Sequence, residues 1–336
     1  MNVAIIGTGL QAKRRCSAIQ KFPDDKIVYV ASNNKDRAET FANSIGVKNF
    51  GSWKDVIKFG EIDAAIICST PNTHAEIIIE YIKYGIHILC VKPLTKTLDE
   101  AYEIKERLIK SSTIFQCGFN HRFHPAIIDA KKSLENNEIG KPIFGRCRYG
   151  ICGRPEYESE WRGKSTIATG GQLMELGIHP IDLFRWMIGD IKEVTSMVAT
   201  SFFPMHPLED NGMAIIKTEN NVICSLHASL TQWKNLFSFE ITGTDGYLNV
   251  EGLGDSYGTQ KLSIGKKDYV APFAETVTEY RGSDKSWYNE WKSFKESVKE
   301  NKTTSGNIND AIQAMKVIFS CYESAKTSRN IIIRNI

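Results

Sequence analysis

The stretch MNVAIIGTGLQAKRR, residues 1–15, decides how this chain folds. An apolar run at residues 2–6 leads straight into Gly7-Thr8-Gly9-Leu10-Gln11-Ala12, and a helical pattern then continues to about residue 21. Strand, glycine turn, helix is the setting that the dinucleotide fingerprint G-x-G-x-x-G/A requires. Gly7 permits the tight turn. Gly9 lets a pyrophosphate approach the backbone with no Cβ in the way, and Ala12 is small enough for helix and strand to lie close. The helix opens at Leu10 with N–H groups and positive dipole potential available to the phosphates. Glycine turns after strands are common, so this motif alone fits a plain strand–turn–helix equally well.

Outward from that stretch, 336 residues fit about two domains. Apolar and charged fractions of 42% and 24% are those of a folded globular chain and exclude disorder. A net charge of +3 is too small and too dispersed for nucleic acid, and Lys13-Arg14-Arg15 reads as a solvated helix face. The chain enters a strand with no signal-peptide pattern, and no apolar run reaches the ~18 residues of a membrane span. A cytoplasmic protein is expected. The eight cysteines form no C-x-x-C and several sit in strand-like runs (AIICS, HILCV, IFQCG), which points to reduced, buried thiols. His121 and His124 have no Cys or Glu at ligand spacing, so no metal site is expected.

Residues 26–31 (KIVYVA) read as a second strand and residues 34–45 as a helix closed by Gly46. The end of that strand is where a dinucleotide fold places its ribose-reading side chain, an Asp or Glu for NAD. Here Ser32-Asn33-Asn34-Lys35 stands there, with Arg37 close behind. No carboxylate at the strand end repels a 2′-phosphate, and Ser32, Lys35 and Arg37 carry groups that bind one. NADP is the favoured expectation, with an NAD site lacking its acid, or a site serving both, as the alternative. A helix at 54–59 precedes a strand at 64–68, and the turn Ser69-Thr70-Pro71-Asn72-Thr73-His74 follows at the edge where such sheets bind ligands. Thr73 with Glu76 reads as a capping box for a helix over 74–84, and Thr97 with Glu100 as another for 98–110. A strand at 86–91 leads to Lys92-Pro93-Leu94, and residues 113–117 form the last strand of an alternating, doubly wound parallel sheet.

The pattern changes near Gly118. A helix over 125–136 is followed by strands at 143–149, 194–200, 213–218, 222–230, 237–242 and 247–250, with turn signals at Glu219-Asn220-Asn221 and Asp245-Gly246. Strands in sequence joined by tight turns make a mainly antiparallel sheet. Helices at 287–299 and 308–327 and a strand at 331–333 close the chain. The expected domains are residues 1–120 and 121–336, a parallel α/β unit and an α+β unit.

The second informative stretch is GGQLMELGIHPIDLFRW, residues 170–186. In a helix, Glu175 and His179 lie at i and i+4, and Asp182 follows on the same face. Gly177 and Pro180 weaken the helix beside His179. A carboxylate next to an imidazole suits proton transfer near neutral pH; a core histidine on a buried helix fits the same pattern.

The ordered set GTGLQA, STPNTHA, VKPL, GFNHRF, WRG and GGQLMELGIHPIDLFRW, ending in CYESAKTSRN, resembles the glucose–fructose oxidoreductase/inositol dehydrogenase/MocA family over essentially the whole chain. The resemblance implies a Rossmann domain, then a domain on an open, mainly antiparallel sheet through which homodimers or homotetramers form. It implies NAD(P)-dependent oxidoreduction of a sugar, cyclitol or nucleotide sugar. It assigns Lys92 to the family's E-K-P motif, beside nicotinamide and substrate, and His179 to general base or acid with Glu175 assisting. It also places Asn120, Trp161 and Arg162 in the substrate pocket, and Thr70, Asn72 and His74 in the cofactor-contacting turn. Two departures stand out. Val91 replaces the usual Glu beside Lys92, and Glu175 replaces the usual Asp, with a longer reach.

Within this resemblance three alternatives remain, one of them a transient oxidation inside an elimination or glycoside-cleaving cycle, which leaves no net change in cofactor. A nucleotide-sugar enzyme would recruit Arg146, Arg148, Arg154 and Arg162 to phosphates, although a solvated strand face accounts for at least two of them. A redox-silent regulator would keep the fold while losing the catalytic pair, and both Lys92 and His179 are present.

Overall fold

The fingerprint folds as read: β1 (Asn2–Ile6) enters the Gly7 turn and α1 (Leu10–Ile19) leaves it. The structure, a computed structural model, describes residues 1–270 and 274–333. It divides into two compact units, Met1–Asn120 with Trp287–Ile312, and His121–Ser286 with Gln313–Ile336. The segment Trp287–Ile312, grouped by sequence with the later residues, therefore belongs with the first unit.

In the first unit β2 (Lys26–Ala31), β3 (Asn49–Gly51), β4 (Ala64–Ile67), β5 (His87–Val91) and β6 (Phe115–Gly118) join β1 in one sheet. Every pairing is parallel and the order is β3-β2-β1-β4-β5-β6, the doubly wound dinucleotide order with its switch point between β1 and β4. Sheets covered on both faces need continuous apolar strands, and β1 and β4 are buried along almost their whole length. Four helices alternate with the strands: α2 (Lys35–Ser44), α3 (Trp53–Phe59), α4 (Pro71–Lys83) and α5 (Leu98–Ile109). The helix Ser286–Glu300 adds Trp291 and Phe294 to this core, and the Trp291 indole donates to Asp25 at 2.8 Å.

The Thr97–Glu100 capping box forms as expected. The Thr73–Glu76 box does not, because α4 starts three residues earlier with Thr70 as N-cap and Pro71 in the first turn. Proline's fixed φ is already helical there and its missing N–H is not needed, so it outranks the local capping signal. Thr73 instead donates its hydroxyl to the Thr70 carbonyl at 2.8 Å. Strand β3 had no signal beyond three residues, Asn49-Phe50-Gly51.

The second unit opens with α6 (Pro125–Glu135) and a long strand, β7 (Pro142–Cys152). Later come α7 (Ile178–Met187), β8 (Ile191–Ala199), β9 (Asn211–Thr218), β10 (Ile223–Ser229), β11 (Thr231–Gly243) and β12 (Gly246–Glu251). Strands β13 (Gln260–Lys266), β14 (Glu275–Tyr280) and β15 (Ile331–Ile332) complete a nine-stranded sheet ordered β14-β13-β12-β11-β7-β10-β9-β8-β15. Strands β7 and β10 pair in parallel and the other described pairs are antiparallel. Alternation sorts the two faces. Cys147 and Tyr149 are buried on one, with Phe184 of α7 packed on Phe239 at 4.9 Å, while Arg146, Arg148, Met213, Ile215 and Ile223 lie exposed on the other. Strands β13 and β14 escaped the sequence reading because runs such as Glu275–Tyr280 (ETVTEY) carry almost no apolar face. Among the described residues no helix is long and apolar enough to cross a membrane.

Candidate active-site residues

The Gly7 turn tolerates glycine only. Gly7 has φ +104°, and a Cβ there would stand 2.7 Å from the Cys68 carbonyl, which is backbone and cannot yield. Gly9 is extended, and a Cβ on it would meet nothing within 4 Å, so open room lies in front of α1. No side chain caps that helix, which leaves its first amides, from Leu10 onward, available to an anion. Ala12 is fully buried against the sheet. Open space before uncapped amides is a cradle of the right chemistry for a pyrophosphate.

At the end of β2 the Ser32 hydroxyl accepts the Asn34 N–H at 3.3 Å, and the Asn34 side chain accepts the Arg37 N–H at 2.9 Å as the cap of α2. Lys35 and Arg37 are exposed beside this turn, as is Asp36 in the first turn of α2. After β4, Thr70 donates to Asn72 at 2.7 Å at the exposed start of α4. His74 does not share that exposure. Its ring is wholly enclosed, with Nε2 3.0 Å from the Ser69 carbonyl and Nδ1 3.0 Å from that of Leu94. The ring therefore stands enclosed between two loops. One of them carries Lys92, half-buried directly after β5, and Val91 is buried at the strand end. Asn120, the last residue of the unit's first segment, is buried.

Burial favours the neutral imidazole and pushes the His74 pKa down from 6.5. It does the same to His124, outweighing the carboxylates of Asp284 and Asp255. A histidine whose folded pKa lies below its unfolded value contributes stability that is whole above about pH 6.5 and is lost as the pH falls toward the folded value. Urea unfolding at pH 7.5 and pH 5 should therefore show lower stability at pH 5. His124→Gln should flatten that slope, and an unchanged slope would mean His124 titrates normally.

In the second unit Gly170 and Gly171 precede the helix, which begins at Gln172, and its first turn, Leu173–Gly177, is a π turn that passes into α7 at Ile178. Pro180, whose missing N–H interrupts an α-ladder, follows directly on that π turn. The expected disruption is taken up by the widened turn. Glu175 and His179 are both buried. Glu175 accepts from the Arg162 guanidinium at 3.3 Å, and that guanidinium lies over the Trp161 ring, 4.3 Å from its centre. The His179 ring stacks on His121 with centroids 3.8 Å apart and planes 24° apart, and Tyr149 stands 5.1 Å from His121. The sequence offered no signal for this stack, because ring contact between distant positions leaves no spacing to read.

Asp182 takes both ends of a buried guanidinium fork, Arg122 Nε at 2.7 Å and Nη2 at 2.6 Å, under the Trp186 ring. Three of the four arginines considered for phosphates already hold carboxylates: Arg146 with Glu240, Arg154 with Glu160, and Arg162 with Glu175. Arg146 and Arg148 also lie on the face of β7 opposite Tyr149, turned away from His121 and His179. Among the described residues no group of three or more His, Cys, Asp or Glu could hold a metal ion.

Residues 1–119 match the family model described as "Oxidoreductase family, NAD-binding Rossmann fold", and residues 127–249 match the GFO/IDH/MocA C-terminal domain. Levoglucosan dehydrogenase of Pseudarthrobacter phenanthrenivorans is 27% identical over 73% of this chain and 72% of its own. The NAD(+)-dependent scyllo-inositol 2-dehydrogenase of Bacillus subtilis is 28% identical over 81% and 80%. A solved levoglucosan dehydrogenase in complex with NADH superposes with a TM-score of 0.92 over 100% of both chains at 23% identity, a likeness of fold.

Proposed function

This chain belongs to the GFO/IDH/MocA oxidoreductase family and has its NAD-binding Rossmann fold, and from that premise we propose that it interconverts a secondary alcohol and a ketone on a sugar or cyclitol ring, in the cytoplasm. The relatives named for levoglucosan and scyllo-inositol support that substrate class. The observation that carries the reading is His179, buried in α7 directly after the π turn that holds Glu175 and its Arg162 partner, an irregularity frequent at functional sites.

In oxidation His179 takes the hydroxyl proton, and in reduction it returns it. The Lys92 ammonium stabilises the negative charge that develops on the substrate oxygen. Glu175, neutralised by Arg162, orients the imidazole, and Asn120, Trp161 and Arg162 hold the ring. Gly7, Gly9 and Leu10 cradle the pyrophosphate, with Thr70 and Asn72 beside it. When bound, the nicotinamide supplies the two-electron chemistry, accepting hydride in oxidation and donating it in reduction.

Purified protein is to be assayed with NAD and NADP against levoglucosan, myo-inositol, scyllo-inositol and 1,5-anhydro-D-fructose, the last offered with reduced cofactor. Turnover of at least one ring is expected; cofactor binding without turnover of any would contradict the reading.

The finer proposal is that Ser32 and Arg37 accept a 2′-phosphate. A charge-assisted contact of this kind is worth about 1.5–3 kcal/mol, so Arg37→Ala should weaken NADPH binding ~10–100-fold in calorimetry and leave NADH unchanged. Equal effects on both cofactors, or none, would remove Arg37 from the site.

A further inference from the structure

The turn that starts the His179 run is held by one residue from elsewhere in the unit. Glu209, immediately before Asp210 and β9, is 4% exposed. Its carboxylate accepts the N–H of Gly171 at 3.1 Å and of Leu173 at 2.8 Å, and its backbone carbonyl accepts the N–H of Gln172 at 3.1 Å. These three consecutive amides are the donors that a helical run leaves unsatisfied at its start. Tyr322 adds a fourth bond, from its hydroxyl to the same carboxylate at 2.8 Å.

The glycine pair makes this approach possible. A Cβ on Gly171 would stand 2.2 Å from the Glu209 carbonyl oxygen, and one on Gly170 would stand 2.3 Å from the Tyr322 hydroxyl. A Ser, Thr or Asp would ordinarily cap such a turn locally. Here the local cap is absent and a distant acid takes its place. Glu209 is itself anchored, because Asp210 next to it accepts the amides of Ser201, Phe202 and Phe203. Phe203, Met205 and Leu208 of this segment then pack with Tyr157, and Trp161 packs against the same cluster. One segment therefore supports both the turn that carries Glu175 and the loop that carries Arg162.

We propose that Glu209 is the positioning residue for His179: it fixes the π turn that carries Glu175 and leads into α7, from which His179 projects. The assignment rests on the catalytic reading of His179 given above. Geometry of this kind acts on turnover rather than on affinity, since a displacement of about 1 Å at a reacting group costs on the order of 100-fold.

The test compares Glu209→Gln with His179→Gln and with Thr218→Val. Thr218 lies at the far end of β9, where its hydroxyl accepts the Val222 N–H, and serves as the stability control. With the best substrate of the ring panel, Glu209→Gln should lower kcat ~10–100-fold while KM and the calorimetric Kd for NADH stay within about twofold. Thr218→Val should lose comparable thermal stability and keep kcat. Tyr322→Phe, which leaves the backbone bonds in place, should lose about threefold in kcat. Equal kcat losses in Glu209→Gln and Thr218→Val at matched Tm would make Glu209 merely structural and overturn the proposal. If Glu209→Gln does not fold, Tyr322→Phe decides, and an unaltered kcat there overturns it. Full activity in His179→Gln would instead sink the catalytic reading and this proposal with it. An inactive His179→Gln beside a fully active Glu209→Gln would sink this proposal alone.

Discussion

His179→Gln is expected to lower kcat/KM for ring oxidation by about 10²–10⁴-fold and to leave NADH binding intact, because the variant removes a proton acceptor and keeps the cradle around Gly7 and Gly9. Lys92→Ala should fall by about 10²–10³-fold, with the loss in kcat, since the ammonium acts on charge that develops during the reaction. Rate measurement with calorimetry on the same preparations checks both. The pair should also be non-additive: once His179 is gone, removing Lys92 costs less than it does in the intact enzyme. A His179→Gln variant within a few-fold of the parent would mean that its stack on His121 is structural, and that the proton passes through another group.

The second large effect falls on stability. Asp182 and Arg122 form a fork-on-fork pair with both side chains almost fully buried. Removing one member strands the other charge in the core, so Asp182→Ala should cost about 3–5 kcal/mol, a large part of the ~5–15 kcal/mol that holds an ordinary domain together. Urea unfolding reads this directly. The double variant Asp182→Leu/Arg122→Met should recover most of the loss, because an apolar pair leaves no stranded charge. A single variant that loses under 1 kcal/mol would show that water reaches the pair.

Much of the first unit was legible because its signals are local. The continuous apolar runs of β1 and β4 announced strands buried on both faces, and the Gly7–Ala12 pattern announced the turn between β1 and α1. The Thr97–Glu100 box marked a helix start to the residue. The local rule failed at Thr73, where Pro71 fixed an earlier start. In the second unit the sheet was readable from alternation, whereas β13 and β14 have too few apolar positions to show it.

The candidate site residues divide along the same line. Lys92 and His179 stood out through motifs, and Glu175 through its spacing to His179. What spacing cannot express is the partner a charged side chain chooses in three dimensions. Asp182 has the periodicity to face with Glu175, but Arg122 claims it. His74 lies in the turn read as cofactor-contacting, and its ring is enclosed between two loops. Glu209 shows no motif, and its approach to the glycine pair at 170–171 is visible only in three dimensions.

The most direct test of the central claim is isotope transfer. The best substrate of the ring panel, deuterated on its ring carbons, is incubated with enzyme and oxidised cofactor, and both products are weighed by mass spectrometry. The account predicts one deuterium in the reduced cofactor for each ring oxidised, and transfer slowed by about 10²–10⁴-fold with His179→Gln. Deuterium retained in a rearranged or cleaved ring, with no net reduced cofactor, would contradict it and point to a transient oxidation inside another reaction.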